Sequence, residues 1–318
     1  MAEEIKNEVT PEKESAPKQS EMLMNEKDIN SVSKKQKAMK IIVQIALYTF
    51  LTVMALIVLF PFYWMLISSV KTRVEYDRPI PTMWPEEFRW ETYKIAFEKV
   101  DFGRVFLNTV LVGVVSTVLG LVITVLSAYA FARFNFRGKN ALFAAMLATM
   151  MIPGELFTIT NYVTVVGIFK WTSTEVGTFV SLVLPFLVSV FYIYLLRQNF
   201  MQIPNELYLA AKVDGTSDLK YLWKVMIPLA APTLISITIL KMMGAWNTYI
   251  WPNLVVDSQS KLKLMTVALR NAEWGEAANI DFPAQMAAVV LATVPLLIVF
   301  LCFRKYIIRG VSRSGIKG

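Results

Sequence analysis

Four uncharged apolar runs, Ile41–Val70, Val105–Ala132, Val176–Leu196 and Phe282–Phe303, dominate this chain. Roughly 20 helical residues cross a ~30 Å hydrocarbon core, so each run is long enough to be a membrane span. Two further runs, Ala141–Phe169 and Val225–Val256, are each interrupted by one ionisable residue, Glu155 and Lys241. The expected fold is therefore all-α and integral to a membrane, with six transmembrane helices. Ile41–Val70 is long for a single crossing, which predicts tilt or protrusion around Pro61.

Charge in the loops sets the expected orientation. Residues 133–140 carry Arg133, Arg137 and Lys139 without an acid, and the tail 304–318 carries Arg304, Lys305, Arg309, Arg313 and Lys317, again without one. The loop 71–104 balances seven basic against seven acidic residues, and the loop 257–281 has three against four. An excess of Lys and Arg marks the cytoplasmic side, so both termini, 133–140 and 197–224 are expected there, with 71–104 and 257–281 as outer loops. The net charge of +8 is this bias and gives no reason to expect a nucleic-acid partner.

Composition removes several chemistries. The chain has no histidine and one cysteine, Cys302, inside an apolar run, which leaves no disulfide framework, cysteine zinc site or histidine acid–base pair. No G-x-x-x-x-G-K-[ST] sequence occurs, so the chain holds no P-loop of its own. The spans offer no nucleophile–base or metal constellation, which argues against an intramembrane enzyme. Residues 1–40 hold eight basic and eight acidic residues and no periodicity, and read as a disordered cytoplasmic extension ahead of a transmembrane domain over 41–318. No signal-peptide pattern is present. Within 71–104, Trp90–Val100 has an amphipathic cast through Tyr93, Ile95, Ala96 and Val100, consistent with a short surface helix.

The polar loop 200–227 has its own internal logic. Pro204 suits a first helical turn, and Leu207, Ala210 and Ala211 fall at i, i+3 and i+4 on one narrow face. Gly215 is placed to end that helix in the left-handed conformation. Thr216 or Ser217 then caps a second helix, with Asp218 in its first turn and Leu219, Leu222, Trp223 and Met226 expected on a shared face. Asp214 opposes the helix dipole at a C-terminus, a cost that a binding role would explain.

This segment resembles the E-A-A-x3-G-x9-I-x-L-P loop of permease subunits of binding-protein-dependent ABC importers. Ala210, Ala211, Gly215 and Pro228 stand on its fixed positions, with Val225 and Ile227 as aliphatic stand-ins. Leu209 replaces the glutamate, and Glu206 lies one turn earlier. The run Gly244–Pro252 is similar to the W-N-x-[FY]-x-x-P segment of carbohydrate-type permeases, and Arg309–Gly318 to the tail of the smaller maltose-type permease. The resemblance spans about Ile41 to Gly318. It implies a type I importer fold and a cell-membrane location. It also implies a second, related permease and a dimer of ATP-binding subunits that hold the ATP and Mg, so this chain needs no cofactor. An extracytoplasmic solute-binding protein completes the set. The loop through Glu206, Leu207, Ala210, Ala211, Asp214 and Gly215 would sit in a groove of the ATPase. By position, the outer loop with Asn271, Trp274 and Gly275 would face the binding protein.

Lys241 costs about 2.5–3.5 kcal/mol at a helix centre, against roughly 0.3–0.6 returned by each apolar neighbour, so its helix can insert but the side chain avoids lipid. Thr238, Lys241, Gly244, Ala245 and Thr248 share its face. Glu155 follows Met151–Gly154, where proline and glycine predict a kink. Both charges are expected about 20 Å from the cytoplasmic surface, either paired or lining a translocation path. Trp246, Asn247 and Tyr249 would offer ring stacking and hydrogen bonds to a sugar, or pack between helices. The rival reading is an ion-coupled secondary transporter that uses Glu155 and Lys241 as its relay.

Overall fold

The computed structural model describes the backbone over residues 19–275 and 280–312, and side chains within 37–304. The basic tail beyond Arg304 and residues 1–36 of the expected extension therefore lie outside the described side chains. Among the described residues every regular element is helical. The chain divides into two units, residues 1–63 and 64–318.

Helix α1, Gln19–Ser68, carries Pro61 in its interior. It begins at Gln19, so helical backbone reaches into the 19–40 stretch that composition alone suggested would lack it. From Met39 to Tyr63 its described side chains are exposed all round. A helix apolar on every face is a membrane span rather than a soluble surface element.

The second unit is built around α3, Phe102–Arg133, with α2, Glu91–Lys99, leading into it. One face of α3 is small or hydroxylic at Thr109, Gly113, Thr117, Gly120, Thr124 and Ala128. That stripe lets two later helices approach closely, as small residues do between membrane helices. They are α7, Val190–Met201, and α10, Ala231–Asn247. The last helix, α13, Phe282–Ser312, uses Ala284, Ala287, Ala288 and Ala292 the same way against α2 and α10. The surface helix expected near Trp90–Val100 is α2, with Thr92 and Ala96 buried against the bundle.

The six expected spans are only partly continuous. Among the described residues three helices are long and apolar enough to cross, and two bent pairs raise the number to five. The run Val176–Leu196 is two helices, α6 (Glu175–Val183) and α7, bent by 50° where Pro185 removes a backbone donor. Ahead of α10 lies α9, Asp218–Leu229, which contains a π turn and meets α10 at 81° across Ala230. The run Ala141–Phe169 is not one kinked helix. It stops as α4, Lys139–Thr149, turns through i→i+3 bonds over Met150–Ile152, and restarts as α5, Leu156–Tyr162. Pro153 and Gly154 together separate the two helices instead of bending one.

Candidate functional site

Two neighbourhoods are candidate sites, a polar helix hairpin and a cleft inside the bundle. The hairpin begins with Arg133 at the end of α3. Its guanidinium donates to the carbonyls of Ile203 at 2.8 Å and Phe200 at 3.3 Å, and to Asn205 Oδ1 at 3.3 Å. Those bonds hold the turn from which α8, Asn205–Val213, starts. Pro204 sits just outside that first turn, at the cap position.

Gly215 closes α8 at φ +67°, with the Thr216 N–H donating to Ala211 O at 2.8 Å and the Asp214 N–H to Ala210 O at 3.0 Å. The left-handed glycine end expected from the sequence is present. Ser217 then caps α9 by accepting from the Lys220 N–H.

The organising residue here is one whose role the linear pattern did not reveal. Asp218 accepts hydrogen bonds from Tyr129 Oη at 3.1 Å, Tyr208 Oη at 2.9 Å and Lys212 Nζ at 2.9 Å. One carboxylate thus joins α3, α8 and α9, over sequence separations of up to 89 residues. Lys212 is pushed above its ordinary value by its bond to Asp218, and Tyr208 is raised by burial and then by the same carboxylate. Both groups keep their neutral-pH protonation state.

Outward from this lock, α8 is bare. Leu207, Leu209, Ala210 and Val213 are exposed, Val213 at 88%, while Ala211 is half-buried against the chain's own core. Glu206, Asp214 and Gly215 are exposed as well. Pro228 lies in the last turn of α9. Of the expected shared face, Leu219, Leu222 and Trp223 line one apolar cavity against α3, with Leu222 and Met226 buried in the core and Leu219 and Trp223 at its exposed edge.

The cleft, about 220 Å³, is lined by Ser116, Ser189, Tyr192, Lys241, Thr248 and Trp251 among others. Lys241 reaches from α10 into the 50° bend between α6 and α7, donating to Leu187 O at 3.4 Å and standing 5.4 Å above the Tyr192 ring. Gly120 of α3 makes the room, since a Cβ there would lie 2.5 Å from the Lys241 Nζ. Gly244, Ala245 and Thr248 line the same cleft, as the shared face predicts, whereas Thr238 opens on a separate apolar cavity beside Thr117 and Met242.

Glu155 does not join them. It is exposed ahead of α5, and among the described residues no ion pair links it to Lys241. Trp246 lies on the opposite side of α10, buried edge-to-face on Phe106 at 5.7 Å. Asn247 is exposed and donates to Met243 O, and Tyr249 lies under the Arg270 guanidinium at 4.8 Å. Trp251, which carries no sequence signal of its own, lines the cleft and donates to Ser181 O at 2.9 Å.

In the 257–281 segment Asn271 is exposed and donates to Asn253, and Gly275 is exposed at φ +133°. Trp274 is buried in the core with its indole donating to Leu269 O, so it packs instead of facing outward.

The arrangement has known counterparts. The chain is 30% identical to the Streptomyces coelicolor diacetylchitobiose uptake system permease protein NgcG over 84% of this chain and 87% of that one. It is 27% identical to the Bacillus subtilis arabinooligosaccharides transport system permease protein AraQ over 86% and 96%. A chain from the crystal structure of a bacterial ABC transporter involved in the import of the acidic polysaccharide alginate superposes with a TM-score of 0.71 at 25% identity, covering 83% of this chain and 96% of that one. Residues 120–313, more than half of the chain and including the α8–α9 hairpin and Lys241, match one family model. This chain belongs to the binding-protein-dependent transport system inner membrane component family.

Proposed function

We propose that this chain is one of two permease subunits of an ATP-driven carbohydrate importer, and that α8 is the helix through which a separate ATPase moves it. The observation that carries this reading is the contrast within α8. Its outward residues Leu207, Leu209, Ala210 and Val213 are uncovered, while its base is tied by Tyr208 and Lys212 to Asp218. Exposed apolar residues on a rigidly held helix suit docking into a groove on another chain. Tight anchoring lets a displacement of that helix pass to α3 as a rigid shift.

In this reading the chain makes six crossings, with α4 and α5 together forming the broken third, and both termini are cytoplasmic. ATP closes a dimer of ATP-binding subunits, α8 moves with its groove, and the paired permeases open the cleft outward to an extracytoplasmic solute-binding protein. Asn271 and Gly275 face that protein. Hydrolysis reverses the motion, and the ATP and Mg stay on the partner. The carbohydrate assignment rests on the relatives that take up diacetylchitobiose and arabinooligosaccharides. A secondary transporter working through Glu155 and Lys241 finds no support, because the two charges are not paired and the chain's family is binding-protein-dependent.

The test is reconstitution of the chain with its partner permease, ATPase and binding protein. Saccharide uptake should require hydrolysable ATP and collapse when Ala210→Asp is introduced on α8. Accumulation by this chain alone, driven by an ion gradient, would overturn the proposal.

A further inference from the structure

Among the described residues, Lys241 is a positive charge inside the bundle without a carboxylate to balance it. Its polar contacts there are the Leu187 carbonyl at 3.4 Å and the Tyr192 ring face at 5.4 Å. An ammonium has three donors, and one long bond to a carbonyl leaves most of that capacity turned toward the cleft. The walls around it supply hydroxyls at Ser116, Ser189, Tyr192 and Thr248, and apolar surface at Leu240 and Trp251, but no acid.

The place is built for the cation. Gly120 carries no Cβ where one would meet both Nζ and Cε of Lys241 at 2.5 and 2.6 Å and the Leu187 oxygen at 2.8 Å. An ionisable side chain held within a membrane bundle calls for a partner. Glu155 does not provide one, and Glu175 is engaged with Ser260 at the far end of α6.

We propose that Lys241 determines specificity for the charge of the solute, and that the transported carbohydrate carries a carboxylate, as a uronate-bearing oligosaccharide does. The inference rests on the importer reading above. The ammonium neutralises the sugar carboxylate as it passes through the cleft, while the hydroxyls accept the remaining sugar surface. A neutral sugar of the same size gains no such partner, and a cationic one is repelled.

Two measurements test this. In the complete reconstituted transporter, uptake of trigalacturonate and of galactotriose is compared for the native chain, Lys241→Met and Lys241→Arg. The expected result is ATP-dependent uptake favouring the acidic trisaccharide, a KM for it raised about tenfold in Lys241→Met, and recovery in Lys241→Arg. Uptake of galactotriose in preference, with KM unmoved by Lys241→Met, would overturn the inference while leaving the importer standing. Loss of ATP dependence would instead strike the importer reading itself.

The second measurement needs no cargo. Ser189→Cys in a Cys302→Ala background is labelled with an anionic and a neutral methanethiosulfonate, with Lys241 retained and again with Lys241→Met added. The anionic-to-neutral rate ratio should be about fivefold higher with the lysine retained. Equal ratios in the two backgrounds would show that the cleft carries no anion-attracting field, and the inference falls.

Discussion

The Asp218 carboxylate accepts the Tyr208 hydroxyl at 2.9 Å, and this single bond ties the exposed helix α8 to the start of α9. With Tyr129 and Lys212 on the same carboxylate, the hairpin is joined to α3 as well. Hydrogen bonds to a charged acceptor are about twice as strong as those between neutral groups. Asp218→Ala should therefore loosen α8 without preventing membrane insertion, and lower transported solute per ATP hydrolysed by about tenfold. Tyr129→Phe, which leaves two of the three bonds, should lose less than half of that ratio. The ratio of uptake to hydrolysis in proteoliposomes checks both.

Coupling should be flat between about pH 6 and 9. Lys212 is held above its ordinary value of 10.5 by Asp218, so its contribution is fully present below that value and is lost only as pH rises through the raised one. Tyr208 is likewise raised and stays neutral over the same window. A pH profile of the uptake-to-hydrolysis ratio with a step near neutrality would contradict the Asp218 lock as the coupling element.

Gly215 has open space around its missing side chain but a φ of +67°. Strain, not collision, is what a substitution there meets, at roughly 1–2 kcal/mol for an ordinary L-residue. Gly215→Val should impair coupling and Gly215→Asn, which tolerates that region, should retain most of it. Ala211→Asp is expected to fail partly through the chain's own packing, since Ala211 is half-buried, whereas Ala210→Asp acts on the outward face alone. Thermal stability of the purified chain separates them: Ala211→Asp lowers it and Ala210→Asp does not.

Trp246 and Trp251 are both buried, in separate core clusters, and Trp251 also borders the cleft. Trp246→Ala should cost about 3–5 kcal/mol of packing and reduce the yield of folded protein in detergent. Trp251→Phe gives up the bond to Ser181 O and should alter the solute KM with normal yield. Size-exclusion profiles and uptake kinetics, taken together, distinguish the two outcomes.

Glu155 is exposed and outside the Lys241 cleft. Glu155→Gln should leave ATP-driven uptake within about twofold of native, and a protonophore should leave it unchanged once ATP is clamped. A steep loss in Glu155→Gln would restore the ion-relay reading.

Much of this was legible along the chain. Apolar runs free of charge announce membrane helices because length and transfer energy are properties of a segment by itself. The alanine pair and Gly215 predict a short helix with a left-handed end for the same reason, since caps and backbone conformations are local. Lys241 and its small-residue face were visible too, because side chains at i+3, i+4 and i+7 share a side of a helix whatever it packs against.

What the tertiary structure decided are relationships between distant segments. Asp218 looked like a dipole-favoured acid in a first helical turn, and only the fold brings Tyr129 to it across 89 residues. Glu155 and Lys241 looked like a pair by depth, yet the break at Pro153–Gly154 sends one to an exposed edge and leaves the other beside Gly120 and the α6–α7 bend. Trp246 and Trp251 stand close together in one short segment, and helix rotation together with the break at Thr248 buries them in two separate core clusters, of which only the second borders the cleft. A sequence states which groups a helix can present on each side; which side meets a neighbour is settled by the packing of all the helices at once.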